Sequence, residues 1–159
     1  MANHEAAGGT SDRGRSGPRF TATHLMEVAR HGDTAARLDV AGDANMPAEG
    51  VALLARDPDP GIRGALLANE AVPQVALEEM LERFPEMRAQ IATHPHAPMK
   101  LMEAAPLGTH TPVSLDSYLR RRAASDAQRS ALLDAHARAH GQQAPVTLGD
   151  AWAQAKQAT

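Results

Sequence analysis

The stretch Leu54–Met80, LARDPDPGIRGALLANEAVPQVALEEM, constrains this chain more than any other, because it reads as one helical pair with weaker copies on both sides. Asp57-Pro58-Asp59-Pro60 signals a helix start. Aspartate accepts from the free N–H groups of a first turn, and proline lacks only a donor that would be unpaired there. Ile62, Ala65, Leu66 and Asn69 follow at helical spacing, which puts Ile62 and Leu66 on one buried face. Asn69 is read as the terminator, since asparagine tolerates a left-handed C-cap. Pro73 restarts a second helix at its first position. Leu77, Met80, Leu81 and Phe84 then recur as an apolar stripe along one helix face.

Stepping one period along the chain in either direction finds the copies. Arg63 maps to Arg37 and Arg88, Pro73 to Pro47 and Pro98, Leu66 to Val40 and Ile91, and Leu77 to Val51 and Met102. A second arginine series, Arg30, Arg56 and Arg83, lies ahead of the first helices. A period of roughly 25–27 residues falls among solenoid repeats. One such pair cannot bury its apolar face alone, so the copies are expected to stack into one continuous core. Each leucine buried this way contributes about 1.5–3 kcal/mol.

These residues resemble a known family. The pattern L-A-x-D-P-x-P-x-V-R-x-A-x-x-x-N-x-x-x-P-x-x-x-L-x-x-L of the leucine-rich repeat variant is similar to Leu54, Ala55, Asp57, Pro58, Pro60, Ile62, Arg63, Ala65, Asn69, Pro73, Leu77 and Met80. The third copy keeps Pro85, Met87, Arg88, Ala89, Ile91, Pro95, Pro98 and Met102, and the first keeps Arg37, Leu38, Val40, Ala41 and Pro47. The resemblance covers roughly residues 29–119. It implies an all-α, right-handed solenoid of alternating α and 3₁₀ helices, and a scaffold in place of an activity. Some relatives carry a cysteine-ligated iron–sulfur cluster ahead of the repeats. This chain has no cysteine, so that feature does not transfer.

Composition agrees with close-packed, alanine-rich helices: apolar residues make up 43% of the 159, but aromatics only 3%. A net charge of −3 gives no general attraction to nucleic acid or anionic lipid. The lack of cysteine excludes disulfides, thiolate metal sites and cysteine nucleophiles. No apolar run is long enough to span a membrane and no signal-peptide centre is visible, so a cytoplasmic location is expected.

Outside the repeats, residues 1–19 are rich in Gly, Ser and Arg and read as a disordered tail. A helix from Phe20, capped by Thr21 or Thr23 and ended at Gly32, is expected to close the front of the stack, burying Leu25, Met26 and Val28. Gly108–Pro112 resembles the turn of a shortened fourth unit, whose first helix is lost or compressed into Lys100–Ala105, with a helix from Pro112 to about Ala123. The repeat region with its leading helix thus covers 20–124, and residues 125–159 form two closing helices. Ser125 and Gln128 make a capping box for the first of these, expected to run to His140 with Gly141 beyond it. Thr147 starts the second, where Leu148, Trp152 and Ala155 share a face and Trp152 plugs the array.

Three groups of residues could carry chemistry. His136 and His140, four apart on one helix, present two imidazoles as helical zinc ligands do, but the pair lacks a third ligand and the glutamate of a metalloprotease motif. Ordinary surface histidines near a helix C-terminus are the preferred reading, and no metal or other cofactor is expected. His94-Pro95-His96 stands where the central unit has Asn69-Glu70-Ala71, so His94 is read as a substitute for Asn69. The arginines are the best candidates for a partner face. Arg37, Arg63 and Arg88 form one ladder and Arg30, Arg56 and Arg83 another, either gripping an acidic partner or paired internally with Asp33, Asp57, Asp59, Glu82 and Glu86. Internal pairing is favoured. Arg120, Arg121 and Arg122 form the one unbalanced basic cluster. With no nucleophile elbow, phosphate loop or EF-hand, the expected function is non-enzymatic protein–protein interaction, with nucleic-acid binding through the ladders and Arg120–Arg122 as runner-up.

Overall fold

A computed structural model of the chain describes residues 19–139 and 146–157, and these are all-helical, with no strand among them. The expected tail lies almost wholly outside the described residues, as do His140 and Gly141. Ten α-helices follow in order: α1 (Ala22–His31), α2 (Thr34–Ala41), α3 (Ala48–Leu54), α4 (Pro60–Leu67), α5 (Gln74–Arg83), α6 (Arg88–Ala92), α7 (Met99–Ala104), α8 (Pro112–Arg121), α9 (Asp126–Ala139) and α10 (Leu148–Ala155). None is long and apolar enough to cross a membrane.

Short polar side chains set the helix starts. Thr21, Asp33, Asp59, Thr111 and Thr147 each accept from a backbone N–H of the first turn of α1, α2, α4, α8 and α10. Ser125 and Gln128 satisfy each other's backbone donors at the start of α9. Proline acts one residue earlier than the sequence suggests. Pro47, Pro73 and Pro98 are the N-caps of α3, α5 and α7, extended at ψ 148°, 154° and 133°, with no side-chain acceptor. Proline fixes φ at a helix-compatible value and prevents the helix from extending backwards.

The first helices of the central units are α-helical. The 3₁₀ geometry implied by the resemblance is confined to two turns among the described residues, Pro85–Met87 and Leu107–Thr109. Linker length explains the first turn. Five residues separate α3 from α4, but Phe84 alone separates α5 from Pro85, and the chain tightens to turn that sharply. Met99–Ala104 follows Pro98 as α5 follows Pro73, so it is not the compressed helix of a fourth unit.

Packing runs between alternate helices as well as neighbours: α1 lies on α3 and α2 on α4, giving two layers at this end. The first core contains Leu25, Val40, Val51, Leu54, Ile62, Leu66, Leu77, Met80 and Ile91. A second is built on Met102, Leu107, Leu115, Tyr118, Leu119, Leu132, Leu148 and Trp152. Neighbours in sequence, Leu101 and Met102, fall on opposite sides, so α7 joins the two cores. That division lies ahead of the 124/125 boundary drawn on sequence. The α10 helix packs on α7 and α9. Its entry is fastened by two backbone bonds, Leu107 N–H to Val146 O at 2.8 Å and Leu148 N–H to Ala105 O at 3.0 Å. Trp152 meets Tyr118 edge-on at 5.8 Å, and Leu148 and Ala155 are buried as its face predicts.

One backbone position is strained. Ala123 ends α8 at φ 49°, and the Ala124 N–H reaches Leu119 O at 3.1 Å to close the turn. A Cβ disfavours this region, so Ala123→Gly should stabilise the fold by about 1 kcal/mol, read as a higher urea midpoint at unchanged slope.

Candidate functional site

The two arginine ladders differ in kind. Arg30, Arg56 and Arg83 lie on the surface and are paired: Arg30 with Glu49 at 2.5 Å, and Arg56 and Arg83 with Glu79 at 2.5 and 3.1 Å. The hydrogen bond from Arg56 leads in holding the Glu79 carboxyl below its usual range. Members of the other ladder are not equivalent to one another. Arg37, half-buried, donates to Asp57 at 2.8 Å and to Gly32 O at 2.6 Å. Arg63 is only 5% exposed and donates to Asp57 O and Pro58 O at 2.8 and 3.0 Å. Its guanidinium lies 3.7 Å from the centre of the Phe84 ring and 3.6 Å from Glu86. Arg88 is exposed and has no acidic or hydrogen-bonding partner among the described residues.

Internal pairing therefore holds for five of these six, but with other acids than expected in part. Asp57 and Glu86 are used; Asp33 and Asp59 instead cap α2 and α4. Glu49, in the first turn of α3, and Glu79, in the second turn of α5, take the surface arginines.

Each arginine of the Arg120–Arg122 cluster is held within the chain, although Arg121 meets only neutral acceptors and Asp116 is shared with Arg129. Arg120 pairs with Asp116 at 3.1 Å, and Arg122 pairs with Glu103 and lies 5.5 Å from the Tyr118 ring centre. Arg121 donates to Ala97 O at 2.7 Å and reaches Gln74 at 3.2 Å. Successive helical residues point about 100° apart, so the three serve three different neighbours. Burial pushes the Glu103 carboxyl up, but hydrogen bonds from Tyr118 and Arg122 outweigh it and leave the group below its usual range. Burial also raises the Tyr118 phenol, and the bond to Glu103 adds to the shift.

His94, His110 and His136 each bond a backbone carbonyl. His136 bonds His110 O at 3.0 Å, and among the described residues no set of three ligands could hold a metal. His140 lies outside the described residues. His94 does stand in for Asn69, although Asn69 is not a left-handed cap: the positive-φ role is absent there, and α4 ends at Ala68 in a right-handed conformation. The Asn69 side chain accepts from Ala71 N–H at 2.9 Å and donates to Asp43 O at 2.8 Å. His94 repeats both bonds, accepting from His96 N–H at 3.1 Å and donating to Asn69 O at 3.0 Å. Asp43 begins the series by accepting from Asn45 N–H at 2.8 Å. Three turns are thereby sewn together at the same spacing as the apolar positions.

One open cleft among the described residues, of about 480 Å³, is lined by Ala89, Ala92, Leu101, Ala104, Ala105 and Pro106, with Glu86, Arg88 and Thr109 also at its walls. Its origin is a change of side-chain size in register. Leu54 and Met80, fully buried, are followed at this position by Ala105. Glu79, which neutralises two arginines, is followed by Ala104. The smaller side chain leaves the space open, and the chain beyond brings Thr109, which has no charge, to the same cleft as Arg88.

No family model, curated protein or solved structure matches this chain. The site is thus defined by its own residues. Of the nine arginines singled out on sequence, Arg88 alone borders this cleft, while Arg30, Arg37 and Arg56 border a separate open hollow. The alanines that line it were missed. Their signal was present in the alignment of the copies, where Ala105 breaks the series Leu54, Met80.

Proposed function

We propose that this chain is a non-enzymatic helical-repeat scaffold of the leucine-rich-repeat-variant kind. In this reading it is a short right-handed solenoid, closed at one end by α1 and at the other by α9 and α10, that binds a partner protein. The repeated bonds of Asp43, Asn69 and His94 support the stacking, because equivalent side chains bind the preceding turn at separations of 26 and 25 residues. The open apolar cleft beside Arg88, which has no acidic partner among the described residues, carries the binding reading. Apolar concavities with a few convergent polar groups are where ligands dock. Nucleic-acid binding, the second reading, would need guanidiniums free for phosphates. Every arginine of the ladders and the 120–122 cluster except Arg88 is already held by an acceptor within the chain.

A photoreactive residue placed at exposed Ala104 tests this in extract of the cells that make the protein. A cross-linked protein is expected, unaffected by nuclease and little changed by added salt. A nuclease-sensitive product whose yield collapses with salt would favour the second reading, because each phosphate contact steepens salt dependence.

A further inference from the structure

We propose that the Ala89–Ala105 cleft takes a peptide segment of the partner that carries an aliphatic side chain close to an aspartate or glutamate side chain. The inference rests on the scaffold reading and specifies its ligand. The aliphatic group enters the space left by Ala105, against Leu101 and Ala92, where the walls are methyl and methylene. The acid meets Arg88, an exposed guanidinium at the same wall that no described carboxylate neutralises. A guanidinium binds a carboxylate with two parallel N–H···O bonds, which fixes the orientation of whatever lies beside it. Glu86, the other charge on the wall, is 3.6 Å from Arg63 and so opposes the acid less than a free carboxylate would. Charge and shape thus select the same dipeptide chemistry: one greasy group and one negative group a few ångströms apart.

The surface arginines cannot substitute for this site. Arg30, Arg37 and Arg56 border an open hollow of about 450 Å³ with Leu53 and Asp57, but Glu49, Asp57 and Glu79 already neutralise them. An acid arriving there would have to displace a carboxylate that is held in place by the fold.

The test uses the full chain, isotope-labelled, with capped Leu-Ala-Glu and Glu-Ala-Leu tripeptides as probes at up to about 10 mM, since so few contacts give affinities near the millimolar range. Amide signals of Ala89, Ala92, Leu101, Ala104 and Thr109 are expected to shift and saturate. Replacing Glu by Gln in the probe, or Arg88→Gln in the protein, should weaken binding about tenfold, the loss of one charge-assisted pair. Ala105→Met, which restores the side chain of the preceding unit, should abolish it at unchanged or higher melting temperature. Arg88 and Ala105 variants that bind both probes like the parent chain overturn the proposal. So does saturation elsewhere on the surface, or octanoate binding the cleft more tightly than either peptide. If the Ala104 cross-link to a protein persists while both probes fail, the cleft's ligand is misassigned and the scaffold reading stands. If no protein cross-links, the scaffold reading itself fails.

Discussion

Arg63→Ala should cost about 3 kcal/mol of folding stability, while Arg88→Ala, at the equivalent position one unit on, should cost less than about 0.5 kcal/mol. The difference comes from what each guanidinium touches. Removing Arg63 leaves Asp57 O and Pro58 O without donors, strips the face of Phe84 and opens a void beside Met87, whose sulfur lies 3.4 Å from Arg63 Nε. Unsatisfied buried carbonyls cost about 1–3 kcal/mol, and the lost packing adds to that. Arg63→Lys should recover less than half of the loss, because an ammonium cannot reach two carbonyls and lie flat on a ring at once. Arg88 is exposed and gives up no hydrogen bond or ion pair among the described residues. Urea unfolding of the three variants measures this directly. Equal losses at the two positions would mean that Arg63 contributes only as a surface charge.

This contrast marks the limit of what the sequence discloses. Periodicity located the helices well, because burial of Ile62, Leu66, Leu77 and Met80 depends on nothing but spacing and polarity. It also matched Arg37, Arg63 and Arg88 to one another by spacing. It could not say that the middle one is an internal strut and the last one a free charge. That outcome depends on Phe84, Glu86 and Met87, which arrive from the next turn only once the chain is folded. For Arg121 and Arg122 the reason is the same, since Ala97 and Glu103 are 24 and 19 residues away, whereas Asp116, the partner of Arg120, stands four residues before it. Asn69 and His94 were matched as equivalents, but their shared task was misread as helix termination. A side chain that serves its own turn and the preceding one at the same time leaves no local signature. The cleft is the opposite case. A large-to-small change at Ala105 was legible in the aligned copies, and its meaning became clear only when no neighbour moved in to fill the gap.

The second large effect is acid sensitivity through the buried imidazoles. His94 and His110 are both held below the ordinary histidine pKa, chiefly by burial. Asn69 O and Met102 O, accepting from the ring N–H groups, oppose the shift, and so does Glu70 beside His94. His96 adds to the depression at His94, and His136 to that at His110. Each ring has both nitrogens engaged: His94 Nδ1 accepts from His96 N–H, and His110 Nδ1 accepts from the Ser114 hydroxyl at 3.1 Å. At His94 protonation would place a second donor against the His96 N–H, whereas at His110 the Ser114 hydroxyl can turn to accept and the cost is that of burying the charge. The unfolded chain therefore binds more protons than the folded one once the pH falls through about 6.5, and stability must drop as the pH falls further. The contribution is fully present above that value and is lost progressively down to the depressed folded pKa values. His94→Asn separates this from general acid unfolding. Asparagine makes the same two bonds in the preceding unit, so the variant should keep its stability at about pH 7 to within about 1 kcal/mol. Having no proton to gain, it should lose less stability than the parent chain between about pH 7 and about pH 5. His94→Ala, which leaves His96 N–H without its acceptor, takes one of two donors from Asn69 O and opens a void, should instead lose about 2 kcal/mol at neutral pH. A His94→Asn variant as acid-sensitive as the parent would show that the stability change arises at His110 or in the carboxylates, and that the Asn69–His94 bond is not what protonation breaks.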